Sequence, residues 1–197
     1  MGIDISGYSA SFRLLTHDLV QVFEYIEPVP DHERVYSHRL FALLLRACTD
    51  FESIAKELVV ATSLSNSARQ MNVNDYKRLE DSFKLEQCKV ALNEQWPTPF
   101  VLHPYRGWST QSPPLPWYGE YNAVKHNRQQ EFPRANLLSA LNATAAVFVL
   151  LAVGSEYEWD EIASGPDSSG TIGASCDLFT ATGLPRRGLF TPVQTRP

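Results

Sequence analysis

Cysteine is scarce in this 197-residue chain: Cys48, Cys88 and Cys176 are odd in number, widely scattered and free of any C-x-x-C pair. That pattern excludes a disulfide framework and a structural zinc site, and it fits a reducing, cytoplasmic compartment. A basic excess is also missing. The formal net charge is -5, which argues against a broad nucleic-acid footprint and leaves room only for a local basic pocket. The N-terminal MGIDISGYSASFRLL has no basic stretch leading into an uninterrupted apolar run, so no secretory signal is expected. There is no glycine-rich phosphate loop, and no serine or cysteine stands in a nucleophile motif, so acyl transfer has no support. His32 and His38 miss the i, i+4 spacing of a helical metal site, and neither a metal nor a cofactor is expected. No internal repeat occurs.

What the chain does have is helical periodicity over an apolar fraction of 44%, enough to bury the core of one domain. Phe12, Leu15, Leu19, Val22, Phe23 and Ile26 predict an amphipathic helix over about 9–26, ended by Pro28 and Pro30. A long second helix is expected over 31–62, its stripe running through Phe41, Leu44, Leu45, Cys48, Phe51, Ala55, Leu58 and Val59. On it, Arg46 with Asp50 and Glu52 with Lys56 read as surface ion pairs, unless Glu52 turns inward. A short third helix follows a cap at Asn72 or Asn74. CKVAL and PFVLH predict a small β-hairpin across NEQWPT, and prolines from Pro97 to Pro116 predict a stiff, exposed loop. Arg106 and Trp108 in that loop suit stacking on a base or ring, or packing on the bundle.

The densest chemistry lies in WYGEYNAVKHNR, residues 117–128. On a helix, Asn122 and His126 share a face, with Lys125 beside them and Tyr118 one turn earlier. Trp117, Tyr121 and Val124 form a separate packing face. His126 is the group best suited to move a proton near neutral pH. Lys125 and Arg128 suit a phosphate, and Asn122 suits orienting an imidazole. The alternative is a capped helix start whose polar groups knit two helices. Pro133 predicts a break, with a last helix from Arg134 through Gly154. Asn136, Ser139, Asn142 and Thr144 in that apolar helix argue against a membrane span. Overall, the spacing predicts a mainly α bundle over 1–157, with a hairpin and proline-rich insertion near 88–116. An irregular, extended or mobile tail is expected over 158–197, in which SCDLFTATG has the character of an edge strand.

YNAVKHNR followed by EFPRANLLSALNATAAVFVLL, together with RACTDFESIAKEL, resembles the HEPN superfamily of small α-helical domains in bacterial defence, toxin-antitoxin and RNA-processing systems. The resemblance covers residues 31–151. It implies a HEPN-like bundle of about four to five helices, acting as a homodimer on RNA or a nucleotide without a metal. By that resemblance His126 is the catalytic histidine, Asn122 the polar residue before it and Glu52 the acidic group on the long helix. Arg128 would supply a catalytic cation, and Lys125, Tyr118 and Arg106 would bind substrate. The family motif also places an arginine upstream of the histidine, where this chain has Gly119, Glu120, Tyr121 and Asn122. The second reading is therefore a non-catalytic dimerisation or protein-interaction module of the same fold.

Overall fold

The computed structural model describes residues 6–62, 71–93, 95–96, 100–109, 115–154 and 171–185. Seven α-helices occur among them: α1 (Ser6–Phe23), α2 (His38–Ala61), α3 (Val73–Tyr76), α4 (Arg78–Phe83), α5 (Pro116–His126), α6 (Arg128–Glu131) and α7 (Leu137–Gly154). Four strands accompany them: β1 (Lys89–Leu92), β2 (Val101–Leu102), β3 (Thr171–Ser175) and β4 (Phe179–Pro185).

The centre of the bundle is α7. Its side chains are apolar on every face, and Leu137, Leu141, Val147, Phe148, Leu150 and Leu151 are all fully buried. Such a helix needs neighbours all round. α2 packs along it, α1 and α5 flank it, and β4 covers a further side. By length and composition α7 is apolar enough to cross a membrane, yet 78% of it is buried inside the protein. Its polar side chains are satisfied locally, as where Thr144 Oγ1 donates to the Ala140 carbonyl at 2.8 Å.

The long second helix starts later than its periodicity predicts. Residues 30–32 form a 3-10 turn behind Pro30, and the helix begins only after Ser37, whose Oγ accepts from the Leu40 N–H at 3.1 Å. Residues 33–37 strap the start of α7 instead. The Leu137 and Leu138 N–H groups, which have no partner within their own helix, donate to the Val35 and Glu33 carbonyls at 2.9 and 3.1 Å. Asn136 Oδ1 accepts from the Ser139 N–H at 2.9 Å, so α7 starts at Leu137 rather than at Arg134. The expected third helix divides into α3, closed by an Asn72 and Asp75 capping box, and α4, which ends at Lys84 in the left-handed region.

The predicted hairpin is present, with β1 antiparallel to β2 and Val90 opposite Leu102. The expectation of an irregular tail is corrected over residues 171–185. There β3 and β4 form a second hairpin that completes a sheet of order β2-β1-β4-β3, with Leu92 opposite Phe179. β4 is thus an interior strand, not an edge, because Leu178, Phe179, Ala181 and Leu184 carry enough apolar surface to bury against α7 and β1. The remainder of the expected tail lies outside the described residues.

The proline-rich stretch, where described, packs its aromatic rings on the bundle, while His103, Arg106 and Ser109 stay exposed. Tyr105 and Trp108 are buried with their rings stacked at 5.0 Å, and the Tyr105 hydroxyl donates to the Ala146 carbonyl at 2.7 Å. The Glu86 carboxylate fastens the same turn by accepting from the Gly107 and Ser109 N–H groups at 2.9 and 3.1 Å.

Candidate functional site at the end of α5

α5 begins with Pro116 in its first turn, where the missing N–H costs no hydrogen bond. Trp117, Tyr121 and Val124 are buried as their spacing predicts. Trp117 meets Phe51 of α2 edge to face at 5.0 Å and donates from Nε1 to the Pro104 carbonyl at 2.7 Å, tying α5 to both the long helix and the loop. The helix ends at Asn127, whose backbone leaves the helical region, so the break comes well before Pro133. α6 and a 3-10 turn over Phe132–Arg134 then turn the chain toward α7.

Glu52 does turn inward toward α5, but it meets a tyrosine. The Tyr118 hydroxyl, on a side chain only 7% exposed, donates to Glu52 Oε1 at 2.8 Å. Burial first, and the bond to this carboxylate second, push the Tyr118 phenol far above its ordinary range. One turn on, Lys125 Nζ donates to the Tyr121 hydroxyl at 2.9 Å and lies 4.9 Å from the centre of its ring. That hydrogen bond raises the lysine's proton affinity, while burial raises Tyr121 against the bond's opposing pull. Cys48, one turn before Glu52, is fully buried and its thiol is pushed well up by desolvation, which makes it inert as a nucleophile. Glu52, Tyr118, Tyr121 and Lys125 therefore form a polar seam between α2 and α5.

Asn122 is half-buried and His126 exposed, and among the described residues neither side chain has a hydrogen-bond partner. Arg128 lies apart from the Asn122–His126 face. Its Nη2 contacts His38 Nδ1 at 3.0 Å, and its guanidinium sits 4.4 Å from the Phe41 ring centre and 5.8 Å from that of Phe132. Arg106 is exposed on the turn after β2, beside His103, whose proton affinity is lowered first by burial and then by Lys89 and Arg106. The structure thus brings Glu52 to Tyr118, and Lys125 to Tyr121. It leaves His126 at the helix end without an orienting carboxylate, and it gives Arg128 a different histidine.

The ion pairs expected along α2 are likewise replaced. Arg46 pairs with Asp18 of α1, and Asp50 accepts from the Ser11 hydroxyl at 2.7 Å, so these charges join two helices instead of decorating one. Sequence reasoning missed the group around Arg128. Tyr36, His38, Phe41 and Phe132 converge there although about ninety residues separate His38 from Arg128. The only local signal was an aromatic, Phe132, set beside a chain break at Pro133.

No group of three His, Cys, Asp or Glu side chains that could hold a metal occurs among the described residues. A shallow polar groove of about 290 Å³ lies between α3, α4 and the loop, where Asn74, Lys77, Asp81, Lys84 and Ser109 line it. No residue of α5 contributes to it. Fold and site together define a mainly α-helical bundle, buttressed by a small antiparallel sheet, that exposes a histidine and two cations where α5 gives way to α6. Comparison with protein-family models, curated proteins and solved structures finds no match to this chain.

Proposed function

We propose that the chain is a HEPN-like helical protein, acting as a homodimer, that binds RNA or a nucleotide at the end of α5. His126 serves as the proton-transfer group of metal-independent RNA cleavage. The observation that carries this reading is the joint exposure of Lys125, His126 and Arg128 over the last turn of α5 and the first of α6. An imidazole reachable from solvent, with a lysine and an arginine near it in the chain, suits a phosphodiester, because cations offset charge on the phosphoryl oxygens while the ring exchanges a proton with the 2′-hydroxyl or the leaving oxygen. The missing upstream arginine would have to be supplied across the dimer.

A second reading has its own support. Glu52 is engaged by Tyr118, and Arg128 by His38, so the groups assigned to assist His126 are held elsewhere. That arrangement favours a non-catalytic interaction module of the same fold. The two readings part on cleavage of a labelled single-stranded RNA in EDTA. The catalytic reading requires cleavage that His126→Ala lowers by about a hundredfold or more, with the thermal midpoint unchanged because the side chain is exposed. Cleavage that survives the substitution, or is absent from the wild-type protein, overturns it.

A further inference from the structure

Near the start of α2, two stretches far apart in sequence, 36–41 and 128–132, bring aromatic rings and one guanidinium to the surface together. Tyr36 is 48% exposed and meets Phe132 edge to face at 5.6 Å. His38, exposed at the first position of α2, lies tilted on the same Phe132 ring at 4.7 Å. Phe41 completes the group at 5.9 Å from Phe132, and Arg128 spreads its guanidinium over Phe41 while contacting His38 Nδ1. This cluster keeps Tyr36 and His38 open to solvent and half-exposes Phe41 and Phe132.

The geometry points to a stacking platform for an unpaired base of single-stranded RNA. The inference rests on the RNA reading of the preceding subsection and names which form of RNA is taken and by which residues. Rings and a planar guanidinium offer flat faces to a base, and such stacking is sequence-tolerant because every base has a π-face. A paired base has both faces covered by its neighbours in the helix, so the platform selects single strands. Arg128 links platform and site: it is two residues beyond His126, and its positive charge lies beside the rings, where the phosphate of a stacked nucleotide needs a counter-charge. Because a guanidinium only donates, His38 Nδ1 accepts in its contact with Arg128, and that contact helps keep the guanidinium over Phe41.

Fluorescence anisotropy with a labelled single-stranded RNA and its duplex, both of mixed sequence, tests the assignment at fixed salt, alongside the cleavage assay. The expected result is tighter binding of the single strand and at least about fivefold weaker binding by Tyr36→Ala, whose exposed ring can be removed without opening the core. Arg128→Gln should weaken binding further. In the parallel cleavage assay His126→Ala should lower cleavage by about a hundredfold or more. Single-strand binding that is insensitive to both Tyr36→Ala and Arg128→Gln overturns the platform and leaves the RNA reading standing. Equal affinity for single strand and duplex also overturns the platform alone. Absence of RNA binding by the wild-type protein overturns both, and returns the aromatic cluster to the protein-contact reading.

Discussion

The hydroxyl of Tyr118 donates to Glu52 and so occupies the carboxylate best placed, on sequence grounds, to orient His126. Tyrosines set the pH response of the protein for the same reason. Burial pushes the Tyr105 and Tyr118 phenols well up, and burial with the Glu57 bond pushes Tyr8 up to about 12. In the unfolded chain each would ionise near its ordinary value of about 10. A folded pKa above the unfolded one gives stability that is complete below pH of about 10 and is lost as pH rises toward the folded value. For Tyr105, fully buried, the loss amounts to about 1.4 kcal/mol per pH unit in that range. Urea midpoints should therefore hold steady from neutral pH to about pH 9 and fall steeply above about pH 10. The Tyr105→Phe variant, though less stable at neutrality for want of its bond to Ala146, should show a shallower alkaline slope; an unchanged slope would remove Tyr105 from the account.

At the scale of the elements, two glycines separate tolerance from necessity. Where β3 meets β4 the register shifts: Ile172 faces Leu184 and Ala174 faces Ala181, so Thr182 and Gly183 stand opposite a single residue. One type of bulge places a glycine in the left-handed region, and Gly183 has φ of 79°. A Cβ there would lie 2.7 Å from the backbone oxygen of Gln87. Gly183→Ala should thus destabilise the fold by about 1–3 kcal/mol. Gly119, inside α5, has nothing within 4 Å of the corresponding position, and Gly119→Ala should stabilise by about 0.4–1 kcal/mol. Chemical denaturation of the two variants checks the contrast, and equal shifts of the same sign would refute it. The element boundaries show where sequence reading fell short. The periodicity of α1 and α2 was legible because each buries a stripe. The later start of α2 was not, because residues 33–37 gain more by accepting from the first N–H groups of α7 than by extending their own helix.

The whole molecule depends on α7 being covered from every direction, and the chain after Gly154 supplies part of that cover. Phe148 of α7 stacks between Phe12 of α1 at 5.7 Å and Phe179 of β4 at 6.0 Å, linking the N-terminal helix to the last strand through the core. A chain ended at Gly154 would bare the α7 face under Phe179 and leave β1 as an unpaired edge. It should lose at least about 3 kcal/mol, by the scale of losing one large buried aromatic, and expose surface that binds ANS. A truncated chain with the urea midpoint of the full one would show the second hairpin to be dispensable.

Taken alone, the sequence determined the helical class, the apolar faces of α1, α2, α5 and α7, the β1–β2 hairpin and the separation of a packing face from a polar face on α5. These are local patterns, fixed by the rise and period of the chain. Tertiary structure alone decided that α7 is the centre, that β4 lies inside the sheet, that Glu52 belongs to Tyr118 and that Arg128 belongs to His38 and Phe41. Those outcomes join residues tens of positions apart, and which of several competing partners a buried or half-buried group takes depends on where the packed helices place it, information that no local spacing carries.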